Sequence, residues 1–284
     1  MNPLGLLSIL GRMEGENMKI AMATANFYQI PFERALGIIR KAGYTYIELD
    51  GYWKGGEGWE TAQHIKRLKP KEVIAMVQDS GLMIASFHDM GGVIEDGHTS
   101  IIHPDTLEYL SIVDIPCVIL HTPHSKTADL NWWKSYKKTA ADDIRQIARG
   151  RIVCVENMLP FPGYMVPLLD PARMLEFCEE ANVHCTIDTT HCAQSGVDIV
   201  HAAAVLRSKV KTLHLSDYLH PRSHVYLGEG QLDFAGFFKA LDLEQLYLAT
   251  IECAIPWEDE TISIQKAAQA KAFVTDGLQA PSKQ

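Results

Sequence analysis

Short runs of apolar and β-branched residues recur along the chain at nearly even intervals. They are KIAMATA (19–25), YTYIELD (44–50), LMIASFH (82–88), CVILH (117–121), RIVCVEN (151–157), VHCTID (183–188), VKTLHLSD (210–217) and LYLATIE (246–252). Runs of this length and composition predict eight strands, and their near-continuous apolar character implies burial on both faces, as in a parallel sheet. Between them lie stretches with helical spacing: FERALGIIRKAG, PKEVIAMVQDSG, NWWKSYKKTAADDIRQIARG, DPARMLEFCEEA and DFAGFFKALD. Several open with Asp or Pro and close with Gly, as helix ends prefer. Eight strands alternating with helices over roughly 250 residues predict an α/β fold, a single (β/α)8 barrel, with a doubly wound open sheet as the alternative.

The polar residues at the strand ends favour the barrel. His88, His121, Glu156, Asp188, His214 and Glu252 each occupy the last position or two of a strand, at gaps of 33, 35, 32, 26 and 38 residues, each about one βα unit. In a barrel such ends converge on one mouth, whereas an open sheet spreads them along an edge. Taken singly, a strand-end His usually serves only as a hydrogen-bonding residue and a strand-end Glu as a solvated rim charge. Six in step resist that reading, because carboxylates crowded together repel and raise one another's pKa values. A divalent cation resolves the conflict. Mixed carboxylate and imidazole donors suit Mn²⁺, Zn²⁺, Fe²⁺ or Co²⁺ and argue against a thiolate structural site. In CTIDTTH (185–191), Asp188 closes a strand and His191 follows in what reads as a loop.

Composition narrows the partners. With 284 residues, 47% hydrophobic and 21% charged, and no Pro/Gly/Ser-rich linker, the chain predicts one large domain. Residues 1–17, MNPLGLLSILGRMEGEN, read as a tail or a misassigned start, with the barrel over 18–284. Their apolar run is too short to span a membrane and lacks the basic start of a signal peptide. The net charge of −9 disfavours nucleic acid and anionic membrane, and fits a neutral small molecule better. Six cysteines occur without a CxxC pair, and Cys117, Cys154, Cys185 and Cys253 sit in strand-like surroundings. Buried, reduced thiols and a cytoplasmic location are expected. A homo-oligomer is compatible with this composition.

The pieces VEN (155–157), IDTTH (187–191), LHLSD (213–217), LGEGQLDF (227–234) and IE (251–252) resemble the xylose-isomerase-like TIM-barrel superfamily, from Lys19 to about residue 275. That superfamily holds sugar isomerases and epimerases together with endonuclease IV, the abasic-site DNA repair enzyme. The resemblance implies a metal site of Glu156, Asp188, His214 and Glu252 holding one Mn²⁺, Zn²⁺ or similar ion. It further implies that Glu156 and Glu252 act on opposite sides of a substrate carbon, removing and returning a proton through a metal-stabilised enediolate. His191 and Arg222 match positions that contact substrate oxygens in the epimerases, and His88 and Trp53 are further candidates. The implied activity is sugar or sugar phosphate isomerisation or epimerisation. Gly228, Gly230 and Asp233 read as scaffold, Asp233 as a helix N-cap.

Endonuclease IV is the competing resemblance. His88, His121, Glu156, Asp188, His191, His214, His224 and Glu252 match eight of its nine zinc ligands, and Arg222 stands where the ninth, a carboxylate, belongs. A guanidinium beside two imidazoles opposes a third cation. A second, weaker position from His88 and His121 with Glu156 remains in this reading. The loops after the strands carry few basic residues and many aromatics, among them Phe27, Tyr52, Trp53, Phe161, Tyr164 and Trp257, which suits a small polar ring or chain better than DNA. Lys54, Lys126 and Arg222 are the obvious phosphate candidates, so an unphosphorylated sugar is preferred.

Overall fold

The structure, a computed structural model, describes residues 18–51, 65, 68–89, 101–122, 124 and 130–279. Seven strands of the barrel come first: β1 (Lys19–Ala23), β2 (Tyr46–Asp50), β3 (Met83–Asp89), β4 (Cys117–His121), β5 (Ile152–Glu156), β6 (His184–Asp188) and β7 (Val210–Leu215). A two-stranded antiparallel hairpin, β8 (Asp217–Leu219) and β9 (Arg222–Val225), then precedes the last barrel strand, β10 (Leu248–Ile251). The order β1-β10-β7-β6-β5-β4-β3-β2 closes on itself, and every barrel pairing is parallel. All eight expected strands are present, and the open-sheet alternative is excluded.

The helices are α1 (Phe32–Lys41), α2 (Pro70–Asp79), α3 (Pro104–Ile112), α4 (Leu130–Ile147), α5 (Pro171–Glu180), α6 (Thr189–Gln194), α7 (Ile199–Leu206), α8 (Phe234–Ala240) and α9 (Glu260–Gln279). Their starts follow the local chemistry. Asp170 caps α5 by accepting from Ala172 and Arg173 N–H, with Pro171 at the first position, and Asp233 caps α8 by accepting from Gly236 N–H.

Alternation along each strand divides its residues between two environments. Ile47, Leu49, Val118, Leu120, Val153, Val155, Cys185, Ile187, Leu213, Leu215, Ala249 and Ile251 join the large core shared with the helices. The other set fills the barrel in layers. At the bottom sit small apolar groups, with Ala21, Ala85 and Leu248 in one cluster and Cys117, Ile119 and Cys154 in another. Above them the interior turns polar: Glu48 accepts from Ser86 Oγ at 2.6 Å and Thr250 Oγ1 at 3.2 Å, and Thr186 and Thr212 share a 2.5 Å hydrogen bond. The top layer carries the titratable residues. Sheet register sets their height, pairing Asp50 with His88, His121 with Glu156, and Asp188 with His214. All six cysteines are buried and unpaired. No helix of the described residues is long and apolar enough to cross a membrane.

Candidate active site

Three sequence pieces knit the floor of the mouth together. Asn157, which follows β5, donates from Nδ2 to the Asp188 carbonyl at 3.1 Å and accepts the Asp188 N–H at 2.7 Å. Asp188 Oδ1 accepts the His191 N–H at 2.7 Å and so starts α6 directly at the strand end. His191 is therefore buried in a short helix and not in the loop its sequence suggested, because an Asp at the strand end serves as N-cap to the residues after it. Thr189 donates to the Ser216 carbonyl at 2.6 Å, and the hydroxyls of Thr190 and Ser216 are 2.9 Å apart. Asp217 collects backbone N–H groups from Tyr218, Gly228, Gly230 and Leu232. That is the work of the LGEG turn: a Cβ on Gly230 would lie 2.2 Å from Asp217 Oδ1 and 2.6 Å from the Tyr218 carbonyl oxygen.

The six strand-end residues converge around Glu156. Its Oε2 lies 3.0 Å from His88 Nε2 and 3.3 Å from His121 Nε2, and its Oε1 lies 3.1 Å from His214 Nδ1 and 3.2 Å from His191 Nδ1. Glu252 Oε2 approaches the same His214 Nδ1 at 2.9 Å. Among the described residues, four groups place possible ligand atoms close enough to share a cation: Glu156–Asp188–His214–Glu252, His88–His121–Glu156, Asp188–His191–His224, and Glu48–His88–His214–Glu252. Glu48, fully buried on β2, was missed in the strand-end reading, as was Asp50, 3.2 Å from His88 Nδ1. The signal was the polar alternation E-L-D in YIELD, which places positions 48 and 50 on one face of the strand.

Electrostatics follows from packing these groups together. Burial works against every charge, yet His214 and His88 hold the Glu156 carboxyl well below the usual range, and His214 draws Glu252 down to about 2. Asp50 and Asp188 go the other way, raised by burial that neighbouring imidazoles only partly offset. Burial opposes charge on His88, His214 and His191, but adjacent carboxylates outweigh it, and His191 rises to about 9. Burial wins at His121, pushed down to about 3.

The donor set fits a divalent cation. Asp188 Oδ2, Glu252 Oε2, Glu48 Oε1 and His214 Nε2 are buried and make no aligned hydrogen bond, although the last two are only 3.0 Å apart and Glu252 Oε2 is 2.9 Å from His214 Nδ1. Short contacts without hydrogen-bond alignment leave lone pairs aimed into shared space. Buried carboxylate and imidazole atoms in that state are what a divalent cation satisfies.

Above this floor opens a cavity of about 420 Å³ lined by His88, His121, His191, His224 and Glu252 together with Asn26, Tyr28, Met158 and Leu159. Arg222 is exposed and is not among the described residues lining it. Strict alternation along β9 would aim Arg222 and His224 the same way. His224 has a left-handed backbone, φ 48°, which breaks that alternation and lets Ser223 and His224 both face the cavity. Phe27, expected as a wall, is wholly buried in the core instead. Phe161 and Tyr164 gather around His124, with ring centroids 4.3 and 5.0 Å from it. Trp257 is packed partly against the core. Trp53, Tyr52, Lys54 and Lys126 lie outside the described residues.

The model of the xylose isomerase-like TIM barrel matches residues 36–274, most of the chain. The chain belongs to this family. Xylose isomerase-like folds recur among solved structures. An L-ribulose 3-epimerase is 19% identical with TM-score 0.65, over 92% of this chain and 95% of that one. A 3-keto-D-glucoside 4-epimerase from E. coli is 18% identical with TM-score 0.65, over 91% and 99%. A D-allulose 3-epimerase from Methylomonas sp. is 16% identical with TM-score 0.66, over 93% and 99%. At these identities the likeness is one of fold. No curated protein matches the chain by sequence.

Proposed function

We propose that the chain is a divalent-metal-dependent sugar isomerase or epimerase working beside a substrate carbonyl. The observation that carries this is the pair Glu156 and Glu252, whose carboxylates flank one imidazole nitrogen, His214 Nδ1, at 3.1 and 2.9 Å, on the floor of a cavity sized for a small ligand. Both carboxyls are held ionised, the form a base requires. One carboxylate removes the acidic proton beside the carbonyl, and a proton is then returned to that carbon or to its neighbour. Return to the opposite face epimerises the carbon, and return to the neighbouring carbon interconverts aldose and ketose. Glu156, Asp188, His214 and Glu252 would hold the cation, Mn²⁺ or Zn²⁺ with Co²⁺ or Fe²⁺ as alternatives. When bound, it supplies positive charge that stabilises the oxygen anion developing as the proton leaves. His191 and His88 line the cavity where substrate oxygens would sit, and Arg222 would reach them from the exposed hairpin. The named epimerases of the same fold, which act on ketoses and a keto-glucoside, support a sugar as the partner. Six buried, unpaired thiols support a reducing, cytoplasmic setting.

The test is to incubate metal-loaded protein with a panel of ketoses in heavy water and follow deuterium at carbons beside the carbonyl by NMR. Exchange with at least one sugar is expected. The groups His88–His121–Glu156 and Asp188–His191–His224 favour a second reading, an abasic-site endonuclease. Nicking of abasic duplex by zinc-loaded protein, with no deuterium entering any sugar, would replace the first reading by the second.

A further inference from the structure

Glu48 is a buried carboxylate that neither proton transfer nor the cation set above uses. One oxygen is fully engaged, accepting from Ser86 Oγ at 2.6 Å and Thr250 Oγ1 at 3.2 Å. The other, Oε1, has no aligned hydrogen bond, lies 3.0 Å from His214 Nε2 and is 3.8 Å from His88 Nδ1. His214 is equally one-sided: Nδ1 faces Glu156 and Glu252, while Nε2 faces Glu48 and lacks an aligned partner.

We infer that Glu48 is a positioning residue, accepting the Nε2–H of His214 so that Nδ1 is presented bare toward Glu156, Asp188 and Glu252; this rests on the cation reading above. A neutral imidazole carries one proton on its two nitrogens, and a cation at Nδ1 requires it on Nε2. Glu48 Oε1 is the carboxylate oxygen at hydrogen-bond distance from that nitrogen. A carboxylate behind a metal-binding His fixes both the tautomer and the ring orientation. The hydroxyls of Ser86 and Thr250 pin the carboxylate from below, so the arrangement reaches through the middle layer of the barrel. Direct ligation by Glu48, in the set Glu48–His88–His214–Glu252, is the less economical reading. It needs both ring nitrogens of His214 bare if the upper set is also filled, which removes a second proton from the imidazole.

Cobalt binding tests this without reference to sugar turnover. Co²⁺ is titrated into wild type, Glu48→Leu and Glu48→Gln, reading affinity by calorimetry and coordination by visible absorption. Glu48→Leu is expected to bind one ion per chain about 10- to 100-fold more weakly, with an altered spectrum. Glu48→Gln, which keeps a carbonyl acceptor, is expected to restore most of that affinity and the wild-type spectrum. Wild-type affinity and spectrum in the Leu variant would overturn the inference. So would equal damage in both variants, or loss of one whole ion per chain, which would make Glu48 a ligand. Should Glu48→Leu fail to fold, Ser86→Ala unpins the same carboxylate and is expected to weaken cobalt binding about two- to tenfold; unchanged binding would overturn the inference. A wild type that takes up no divalent ion would bring down the cation reading itself, and this inference with it.

Discussion

The ring of acids and imidazoles at the strand ends and the hairpin at its edge are only a few residues apart in sequence, yet different forces place them. Ring residues sit on strands bonded to neighbours on both sides, so parallel register fixes their height and alternation fixes their direction: Asp50 beside His88, His121 beside Glu156, Asp188 beside His214. The hairpin has two short strands paired only with each other, a register shift between Asp217 and Leu219, and a left-handed residue at His224. Where many backbone bonds constrain a position, residue spacing predicts the site. Where few do, a single dihedral decides which side chains face it.

The largest effect should come from the ring. Glu156→Gln and Glu252→Gln each keep the shape of the side chain but remove a negative charge that both holds the cation and moves a proton. Each is expected to lower turnover by at least about 10²- to 10⁴-fold while leaving the circular dichroism spectrum unchanged. Near-wild-type rates in either variant would remove that residue from the chemistry and leave the ring a binding device only.

How far each region could be read follows from the same contrast. The eight strands were legible because each is an apolar run of standard length, and the convergence of six strand-end residues because they recur once per βα unit. Glu48 and Asp50 escaped because YTYIELD was read only as a strand, although E-L-D alternates on one face. His191 was found as a residue and misplaced as a loop, since Asp188 serves at once as strand end and helix cap. Phe27 looked like a wall because the 3₁₀ turn at Thr24–Phe27, which carries it into the core, has no sequence signature of its own. The hairpin was not anticipated at all. Asp217 and Gly230 supply its chemistry across 13 residues, and only the folded chain brings them together.

A smaller effect should come from that joint. Gly230→Ala puts a methyl against Asp217 Oδ1 and the Tyr218 carbonyl, neither of which is the free end of a flexible chain. Forcing them apart is expected to cost about 1–3 kcal/mol, read as a lower urea midpoint, with the ring's cation affinity little changed. If cation affinity falls in step with stability, the hairpin and the ring are one cooperative unit and the contrast between them is too sharp.

Within the ring, His121 should matter less than its neighbours. It is 16% exposed, and among the described residues it contributes only to the group His88–His121–Glu156, outside the four residues proposed for the principal cation. His121→Ala is expected to remove a weakly held second ion and to slow sugar turnover by less than about tenfold, roughly 1.4 kcal/mol in the barrier. Two tightly held ions in wild type, together with an inactive His121→Ala, would make the site binuclear.

The smallest effect is expected at Arg222, although the sequence pattern gave it a leading part. If its guanidinium faced His191 and His224, Arg222→Asp would complete a carboxylate and two-imidazole set, admit an additional zinc and abolish sugar turnover. The left-handed turn at His224 argues otherwise. It directs Ser223 and His224 to the cavity, while Arg222 stays exposed on the edge of a two-stranded sheet. From there its side chain would meet a bound sugar only as a flexible outer contact. Exposed substitutions of this kind usually shift free energy by about 0.5 kcal/mol or less, so Arg222→Asp is expected to raise KM by no more than about two- to threefold. Zinc per chain, measured by elemental analysis after identical loading, should equal that of wild type. An extra equivalent of zinc with loss of turnover would show that the hairpin folds Arg222 inward, and that its charge keeps a further cation out of the Asp188–His191–His224 group.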